Sequence, residues 1–192
     1  MKSLAEKQAK VFEILGTDLG LKNVMQTPKI EKIIVNVGSG SRQKQDRKAN
    51  EFIAEQLMII TGQKPSGRKA KTSIAGFKIR EGDIVGQSVT LRGERMASFF
   101  DKLVNVALPR TKDFRGLETR VIDSMGNMTL GIKEHIIFPE TGDEELRNIF
   151  GLSITVVTTA KDKKSAEAYL RFLGVPFKKV TEETKTKKKK KA

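Results

Sequence analysis

A basic stretch interrupted by glycines, residues 61–100, constrains the fold of this chain more than any other segment. Pro65 and the glycines at 67, 76, 82 and 86 disfavour a helix, so we predict a strand, a long basic loop and a second strand. The loop region contains no acid between residues 63 and 80 but carries these cations: Lys64, Arg68, Lys69, Lys71, Lys78 and Arg80. The second strand alternates between two sets of side chains: Val85, Val89 and Leu91 against Ser88, Thr90 and Arg92. A sheet with one polar face beside a basic loop is suited to a polyanion.

Length and charge limit the organisation of the chain and its partners. The 192 residues fit one domain, and a hydrophobic content of 38% suffices for a core because the apolar residues cluster. The net charge of +14 indicates a nucleic acid or an anionic membrane surface as partner. Residues 178–192 hold eight lysines against two glutamates and are predicted to be a disordered tail. Residues 1–177 are predicted to form a single domain.

Several functional classes are disfavoured by composition. The absence of cysteine excludes disulfides and thiolate metal sites. The N-terminus carries acids and no unbroken apolar run, so it does not resemble a secretory signal. No window approaches 18 apolar residues, so we expect a cytoplasmic protein that does not span a membrane.

The remaining elements follow from periodicity. A strand at 29–37 should place Ile33, Val35 and Val37 opposite Lys32, Ile34 and Asn36. Further predicted elements are helices at 3–15, 43–61, from 94 to Pro109 and 163–173, strands at 128–132, 135–138 and 153–160, and a hairpin turn at 124–127. This order predicts an α+β fold: an antiparallel-rich sheet with helices packed on one face and a polar face on the other. Because the basic loop adjoins it, we expect that polar face to be an RNA-binding face.

A dinucleotide-binding motif is suggested and then rejected at the end of the first strand. Gly38 and Gly40 follow the strand and precede a helix, but the third glycine position is Gln43. A tight turn is the better interpretation, with backbone N–H groups near a phosphate as an extension of it.

Catalytic and metal-binding chemistry has little support in the sequence. His135 is the one histidine, and its apolar neighbours favour a hydrogen-bonded structural role over a catalytic one. The acids at 143–145 lack the alternation of a cation loop. We therefore predict a protein that is not an enzyme and has no cofactor.

The basic surface is better suited to folded RNA than to single strands. One tyrosine and no tryptophan give few platforms for base stacking. Folded RNA is recognised through its shape, phosphates and 2′-hydroxyls, which the predicted polar face could contact. Membrane binding through the lysine tail is an alternative, but no basic amphipathic helix supports it.

Several runs resemble the bacterial large-subunit ribosomal protein five family. They occur in the family's order and span about residues 24–175: VMQTP at 24–28, KIIVNVGSG at 32–40, ITGQKP at 60–65, AGFKIR at 75–80, VTLRGERM at 89–96, PR at 109–110, DFRGL at 113–117 and IIFPE at 136–140. The resemblance implies a non-catalytic α+β protein that binds 5S ribosomal RNA in the central protuberance. It also implies contact with 23S rRNA, the P-site tRNA, small-subunit ribosomal protein thirteen and neighbouring large-subunit proteins, and none with a membrane.

Site residues are carried over from the resemblance by motif. Contact with 5S rRNA is implied for Lys32, Asn36, Gln63, Lys64, Thr90 and Arg92. Contact with tRNA is implied within the loop 67–77, for Arg68, Lys69, Lys71 and Thr72. A subunit bridge is implied for loops 112–115 and 141–145, including Lys112, Asp113, Arg115, Asp143 and Glu144.

Three other functional classes remain open at this point. A generic basic RNA-binding or chaperone protein, or a membrane binder acting through its tail, would bind any polyanion weakly and lose that binding without residues 178–192. Enzymatic RNA processing is a more distant alternative, because no catalytic constellation supports it.

Overall fold

The structure is a computed structural model that describes residues 4–40, 49–77, 79–141 and 149–178. Its helices are α1 (Leu4–Leu15), α2 (Ala49–Thr61), α3 (Gly93–Lys102) and α4 (Lys163–Leu173). Its strands are β1 (Ile30–Gly38), β2 (Ser66–Lys69), β3 (Ile84–Leu91), β4 (Met128–Ile132) and β5 (Leu152–Thr158). The predicted residues 43–48 of the second helix and the tail beyond Lys178 lie outside the described residues.

Within the described part of the chain, the five strands form one sheet in the order β2-β3-β1-β5-β4. All four neighbouring pairs are antiparallel. β1 is the central strand, although it comes first in the chain. The predicted α+β class with an antiparallel sheet is confirmed.

The two faces of the sheet differ as the alternation of β1 predicts. Ile33, Val35 and Val37 are fully buried, whereas Asn36 is exposed and Lys32 is partly exposed. On β5, the residues from Leu152 to Thr158 likewise alternate between buried and partly exposed. The helices contribute their apolar residues to the same core as the buried face, so among the described residues no helix packs on the other face, which we call the open face.

The helical layer is tied together by packing and by one buried phenol. α3 contributes Phe99, whose ring stacks on Phe138 at a centroid distance of 6.0 Å. Tyr169 of α4 donates a hydrogen bond to Gln8 of α1, and Gln8 Nε2 donates to the carbonyl of Pro28 at 2.9 Å. Burial raises the pKa of the Tyr169 phenol, so the phenol remains a donor. These bonds connect both terminal helices to the segment that enters β1.

A glycine on β3 lies directly against the backbone of β1. Gly86 pairs with Gly38, and a Cβ atom at Gly86 would lie 2.8 Å from the carbonyl oxygen of Val37. Non-bonded carbon and oxygen atoms do not approach this closely without strain, so any larger residue would separate the two strands. Gly86 therefore maintains the central pairing of the sheet.

Three local predictions are corrected by the structure. The predicted strand at 135–138 is wrong: His135–Ile137 is a 3₁₀ turn, which a Pro139 immediately downstream favours over a longer strand. α3 ends at Lys102 and continues as a π-helical turn, Leu103–Ala107, before Pro109. The turn at 124–127 is present, but it joins β4 to a single bridge at Ile122 and not to a full strand.

Candidate nucleic-acid interface

Polar side chains form rows across the open face of the sheet. The register aligns Thr129, Thr155, Ile34 and Thr90 in one row, and Gly131, Ser153, Asn36, Ser88 and Ser66 in the next. With strands about 4.8 Å apart, five strands span roughly 19 Å, about the width of a nucleic-acid helix. The surface offers hydroxyl groups from β2, β3, β4 and β5 and the amide of Asn36 on β1, interrupted by Ile34, Gly131 and the buried Ser88.

Some hydroxyl groups of this face already form hydrogen bonds within the sheet. Thr129 Oγ1 and Thr155 Oγ1 are 3.2 Å apart, and Ser153 Oγ donates to the backbone oxygen of Asn36 at 3.4 Å. A hydroxyl can donate one hydrogen bond and accept two, so each retains capacity for a ligand. The contributions of β4 and β5 were missed by the sequence prediction, although the alternation in SITVV at 153–157 was visible.

The residues predicted to contact 5S rRNA lie along one half of this face. Lys32 and Asn36 lie on β1, four residues and therefore about 13 Å apart. Thr90 lies on β3 beside Ile34. β3 ends at Leu91, so Arg92 is not a strand residue as predicted, but the extended residue that precedes α3. Ser88, predicted to be on the polar surface, is buried in register between Asn36 and Ser66, and this corrects the expectation.

Gln63 and Lys64 reach the same region from the connection between α2 and β2. Gln63 Nε2 donates to the backbone oxygen of Thr90 at 3.3 Å, which fixes this connection against β3. Lys64 is exposed beside it. The structure thus brings Gln63 and Thr90 together, although they are 27 residues apart.

An acidic residue that the sequence prediction overlooked lies among the cations. Glu31 Oε1 is 3.4 Å from Arg92 Nη1 and 3.9 Å from Lys32 Nζ. Alternation alone would direct Glu31 into the core with Ile33, so only the structure could reveal this contact. Lys32, Glu31 and Arg92 form a mixed-charge cluster at the edge of the open face.

The basic loop is an ordered extension of the β2–β3 hairpin, which we call the basic arm (residues 70–83, with Lys78 outside the described residues). Ala70 N donates to Asp83 O at 2.8 Å, Gly82 N to Ala70 O at 3.1 Å, and Ile74 N to Ile79 O at 3.0 Å. Its tip carries the exposed Phe77. The loop predicted from glycine content is therefore a projecting hairpin with defined geometry.

The residues predicted to contact tRNA lie at the base of the arm. Arg68 and Lys69 belong to β2 and not to the loop, because this strand extends to Lys69. Lys71 and Thr72 follow in the arm. All four residues are exposed, Arg68 and Lys69 on the edge strand of the sheet and Lys71 and Thr72 in the arm that follows it.

The predicted bridge residues are described only in part. Lys112, Asp113 and Arg115 are exposed in a turn, whereas Asp143 and Glu144 lie outside the described residues. Asp113 adopts a φ of 54°, a conformation that Asp tolerates better than most residues. The turn is anchored where Leu117 N donates to Pro176 O at 2.7 Å.

Lys102 of α3 supports the connection that holds Gln63 and Lys64. Its Nζ donates to the backbone oxygen of Ile60 at 2.7 Å and to Glu140 Oε1 at 2.7 Å. The first bond satisfies a carbonyl near the C-terminus of α2, where backbone oxygens lack helical partners. Lys102 therefore positions the end of α2 and, through it, the polar segment that follows.

The Lys102–Glu140 pair gives stability a defined pH dependence. Burial raises the pKa of Glu140, but hydrogen bonding and the positive charges of Lys102 and Arg110 outweigh it, so the pKa lies below its ordinary value of 4.5. A carboxyl group with a lowered pKa in the folded state stabilises the fold above the unfolded pKa. That contribution is lost as the pH falls through the folded pKa.

We expect Glu140→Gln to lower the free energy of unfolding, measured in urea at pH 7. At pH 3 the free energies of unfolding of the variant and the wild type should differ less, because a larger fraction of Glu140 is then protonated. Glu134→Gln, which alters another exposed glutamate, serves as the control and should change little at either pH. An equal loss for Glu140→Gln at both pH values would contradict this assignment.

His135 is structural, as predicted. It is fully buried, its ring stacks on Phe150 at a centroid distance of 4.1 Å, and its Nδ1 accepts a hydrogen bond from Phe150 N at 3.3 Å. The acceptor role of Nδ1 requires a ring without a proton on that atom. This histidine therefore holds the start of the β5 segment and does not face a cleft.

Among residues 4–40, 49–77, 79–141 and 149–178, no group of three or more His, Asp or Glu side chains is arranged to hold a metal ion. The helices of the described segments are too short or too polar to cross a membrane.

The fold and this surface define a basic α+β protein with an open, polar sheet face edged by cations. Similarity to known sequences identifies the family to which the chain belongs. The model of ribosomal protein L5 matches residues 23–80, and the model of the C-terminus of the same ribosomal protein family matches residues 84–177. The chain belongs to the ribosomal protein L5 family, as the sequence motifs predicted.

Individual relatives agree over nearly their whole length, and each is named large ribosomal subunit protein uL5. The protein of Anaeromyxobacter sp. (strain Fw109-5) is 50% identical over 163 residues, or 85% of this chain and 90% of the relative. That of Dichelobacter nodosus (strain VCS1703A) is 49% identical over 168 residues, covering 88% and 93%. That of Thermoanaerobacter sp. (strain X514) is 48% identical over 178 residues, covering 92% and 99%.

Proposed function

We propose that the chain binds 5S rRNA through its open sheet face and anchors it in the central protuberance of the large ribosomal subunit. As a member of the ribosomal protein L5 family, it is a structural, non-enzymatic constituent of that subunit. The observation that carries the proposal is a polar sheet face on which none of the described helices packs, with cations along one edge. An antiparallel sheet can keep one polar face in solvent, so this face is accessible to a large polar ligand.

The chemistry of the face favours folded RNA. Lys32, Lys64 and Arg92 can neutralise phosphates, and the rows of hydroxyls can exchange hydrogen bonds with ribose 2′-hydroxyls. Outward-facing Ile34 and Val157 are aliphatic, and no aromatic side chain lies on the described strands, so base stacking on the sheet is not the main interaction. RNA shape and backbone are therefore the features that this surface would recognise.

The test is a binding titration of the full-length protein against 5S rRNA and a size-matched control RNA at several salt concentrations. We expect tighter binding to 5S rRNA by about tenfold or more, with log K falling by roughly 0.7–0.9 per phosphate contact as log salt rises. A variant ending at residue 178 should keep this preference. Equal, weak binding to both RNAs, lost in the shortened variant, would instead support a generic basic RNA-binding protein.

We also propose that the basic arm and the adjoining end of β2 contact the P-site tRNA. The projecting hairpin presents Arg68, Lys69 and Lys71 at an edge that no described element covers. Cations of this kind bind the phosphate backbone without reading sequence. Charge reversal of these three residues should weaken binding of peptidyl-site tRNA by ribosomes that contain the variant. Unchanged tRNA binding by such ribosomes would disprove the contact.

We also propose that the anchored turn around Asp113 forms part of the bridge to the small subunit. Its exposed charged side chains could meet small-subunit ribosomal protein thirteen, and electrostatic complementarity would guide that contact. Crosslinking from a photoreactive group at position 112 in assembled ribosomes should label the small-subunit head. Labels confined to large-subunit components would exclude this role.

A further inference from the structure

The mixed-charge cluster contains a residue whose presence at an RNA surface needs an explanation. Glu31 belongs to β1 and has the same parity as the buried Ile33, so regular alternation would bury its carboxylate. A β-bulge prevents this: Ile30 pairs with Thr158 and Lys32 with Val157, leaving Glu31 as the extra residue. The fold thus departs from a regular strand at the position that exposes Glu31.

The ion pairs of Glu31 add too little to the stability of the fold to explain why the strand bulges here. The Glu31 side chain is 49% exposed and that of Arg92 is 57% exposed. Exposed ion pairs contribute little to folding, and the distances of 3.4 and 3.9 Å are long for such pairs. A structural role for the carboxylate is therefore weakly supported.

The chemistry of a carboxylate at this place is different from that of its neighbours. Lys32 and Arg92 attract any phosphate, whatever the sequence or fold of the RNA. A carboxylate repels phosphates and accepts hydrogen bonds from N–H and O–H groups, as Asp and Glu do from the amino group of cytosine. The Glu31 carboxylate is therefore a hydrogen-bond acceptor that lies between two cationic donors, Lys32 and Arg92.

We infer that Glu31 is a specificity-determining residue of the open face, which accepts a hydrogen bond from a base N–H or ribose O–H group of the bound RNA and disfavours RNAs that place a phosphate there. This inference rests on the proposed binding of 5S rRNA by the same face. Arg92 Nη1 donates to Glu31 Oε1 at 3.4 Å, so the carboxylate and the guanidinium would meet the same part of a bound RNA.

The test compares Glu31→Gln with the wild type in titrations against 5S rRNA and the control RNA. The carboxamide is similar in size but uncharged, so repulsion of phosphate is lost and the acceptor is weaker. We expect binding to 5S rRNA to weaken and binding to the control RNA to tighten, reducing the preference about five- to tenfold. Partial unfolding would weaken binding to both RNAs, so opposite changes cannot come from a folding defect.

Glu13→Gln is the matched control, because it removes the same charge from an exposed position on α1 in the helical layer. It should leave the preference for 5S rRNA unchanged. Equal effects of the two variants would overturn the inference and assign the change to net charge. A wild type that prefers 5S rRNA and a Glu31→Gln variant with the same preference would also overturn it, while the proposed function stands. A wild type without preference would instead overturn the proposed function itself.

A second RNA distinguishes the two possible donors to Glu31, a base N–H group and a ribose 2′-hydroxyl. A 5S rRNA fragment in which the nucleotides that the protein protects carry 2′-deoxyribose retains all base N–H groups. If Glu31 accepts from a base, wild type and Glu31→Gln should differ on this RNA as they do on the unmodified one. If it accepts from a 2′-hydroxyl, that difference should disappear. A difference that is absent on both RNAs contradicts the inference.

Discussion

A variant carrying both Thr90→Ala and Arg92→Ala is expected to bind 5S rRNA about 30-fold or more weakly than the wild type, while its fold is retained. Both side chains lie at the edge of the open face, and neither is part of the core. Losing one charge-assisted and one neutral hydrogen bond removes roughly 2–4 kcal/mol of interaction. The measurement is the titration described above, with thermal unfolding to verify that the variant is folded.

The matched control for this variant is Arg171→Ala. Arg171 lies on α4 in the helical layer, where it pairs with Glu167 at 2.8 Å, so its removal subtracts the same charge from the opposite side. We expect it to weaken binding to 5S rRNA and to the control RNA slightly and to the same extent. If Arg171→Ala were as damaging as the double variant, binding would depend on total charge and not on the open face.

Of the proposed substitutions, Gly86→Ala is expected to destabilise the fold most. We expect the free energy of unfolding, measured in urea, to fall by about 2–4 kcal/mol. The added Cβ would lie 2.8 Å from the carbonyl oxygen of Val37, which belongs to the backbone of the central strand and cannot rotate away. Relief of this contact requires β3 to move away from β1, which weakens their hydrogen bonds. The open face would be disturbed as well, because Asn36 and Thr90 lie on these two strands.

Gly131→Ala provides the control for the glycine prediction. Gly131 is also a strand residue, but a Cβ atom there would have no neighbour within 4 Å. Its replacement should change stability by less than about 0.5 kcal/mol, as is usual for surface substitutions. Similar losses in the two variants would show that strand propensity, and not the close approach at Val37, determines the effect.

The parts of the fold that depend on local periodicity were predictable from the sequence. The alternation at 33–37 identified both faces of β1, and the spacing of Ala166, Tyr169, Leu170 and Leu173 identified the buried side of α4. Gly174, with a φ of 101°, ends that helix as predicted. These features persist because burial of an apolar face dominates the conformation of each segment.

Other features depend on pairing between distant segments and could not be read from local patterns. The order of strands places Ser153 and Thr155 beside β1, although more than 110 residues separate them in sequence. The exposure of Glu31 depends on a bulge that only its pairing with β5 defines. The strand predicted at 135–138 is wrong because a short apolar run beside His135 is compatible with either a strand or a turn, and the local pattern cannot distinguish them. The predicted contacts with RNA and with the small subunit stay predictions.

The central position of β1 bears on how the chain folds during synthesis. β1 is made first, yet its two neighbours are β3 and β5, and the pairing of Ile30 with Thr158 closes a loop of about two thirds of the chain. Contacts of such long sequence separation slow folding, because a large loss of chain entropy precedes the gain from pairing. Residues 23–80 and 84–177 match separate family models, but each contributes strands to one sheet. A nascent chain that has not yet emerged to residue 158 therefore cannot display the complete polar surface, so premature capture of RNA by a half-made protein is disfavoured.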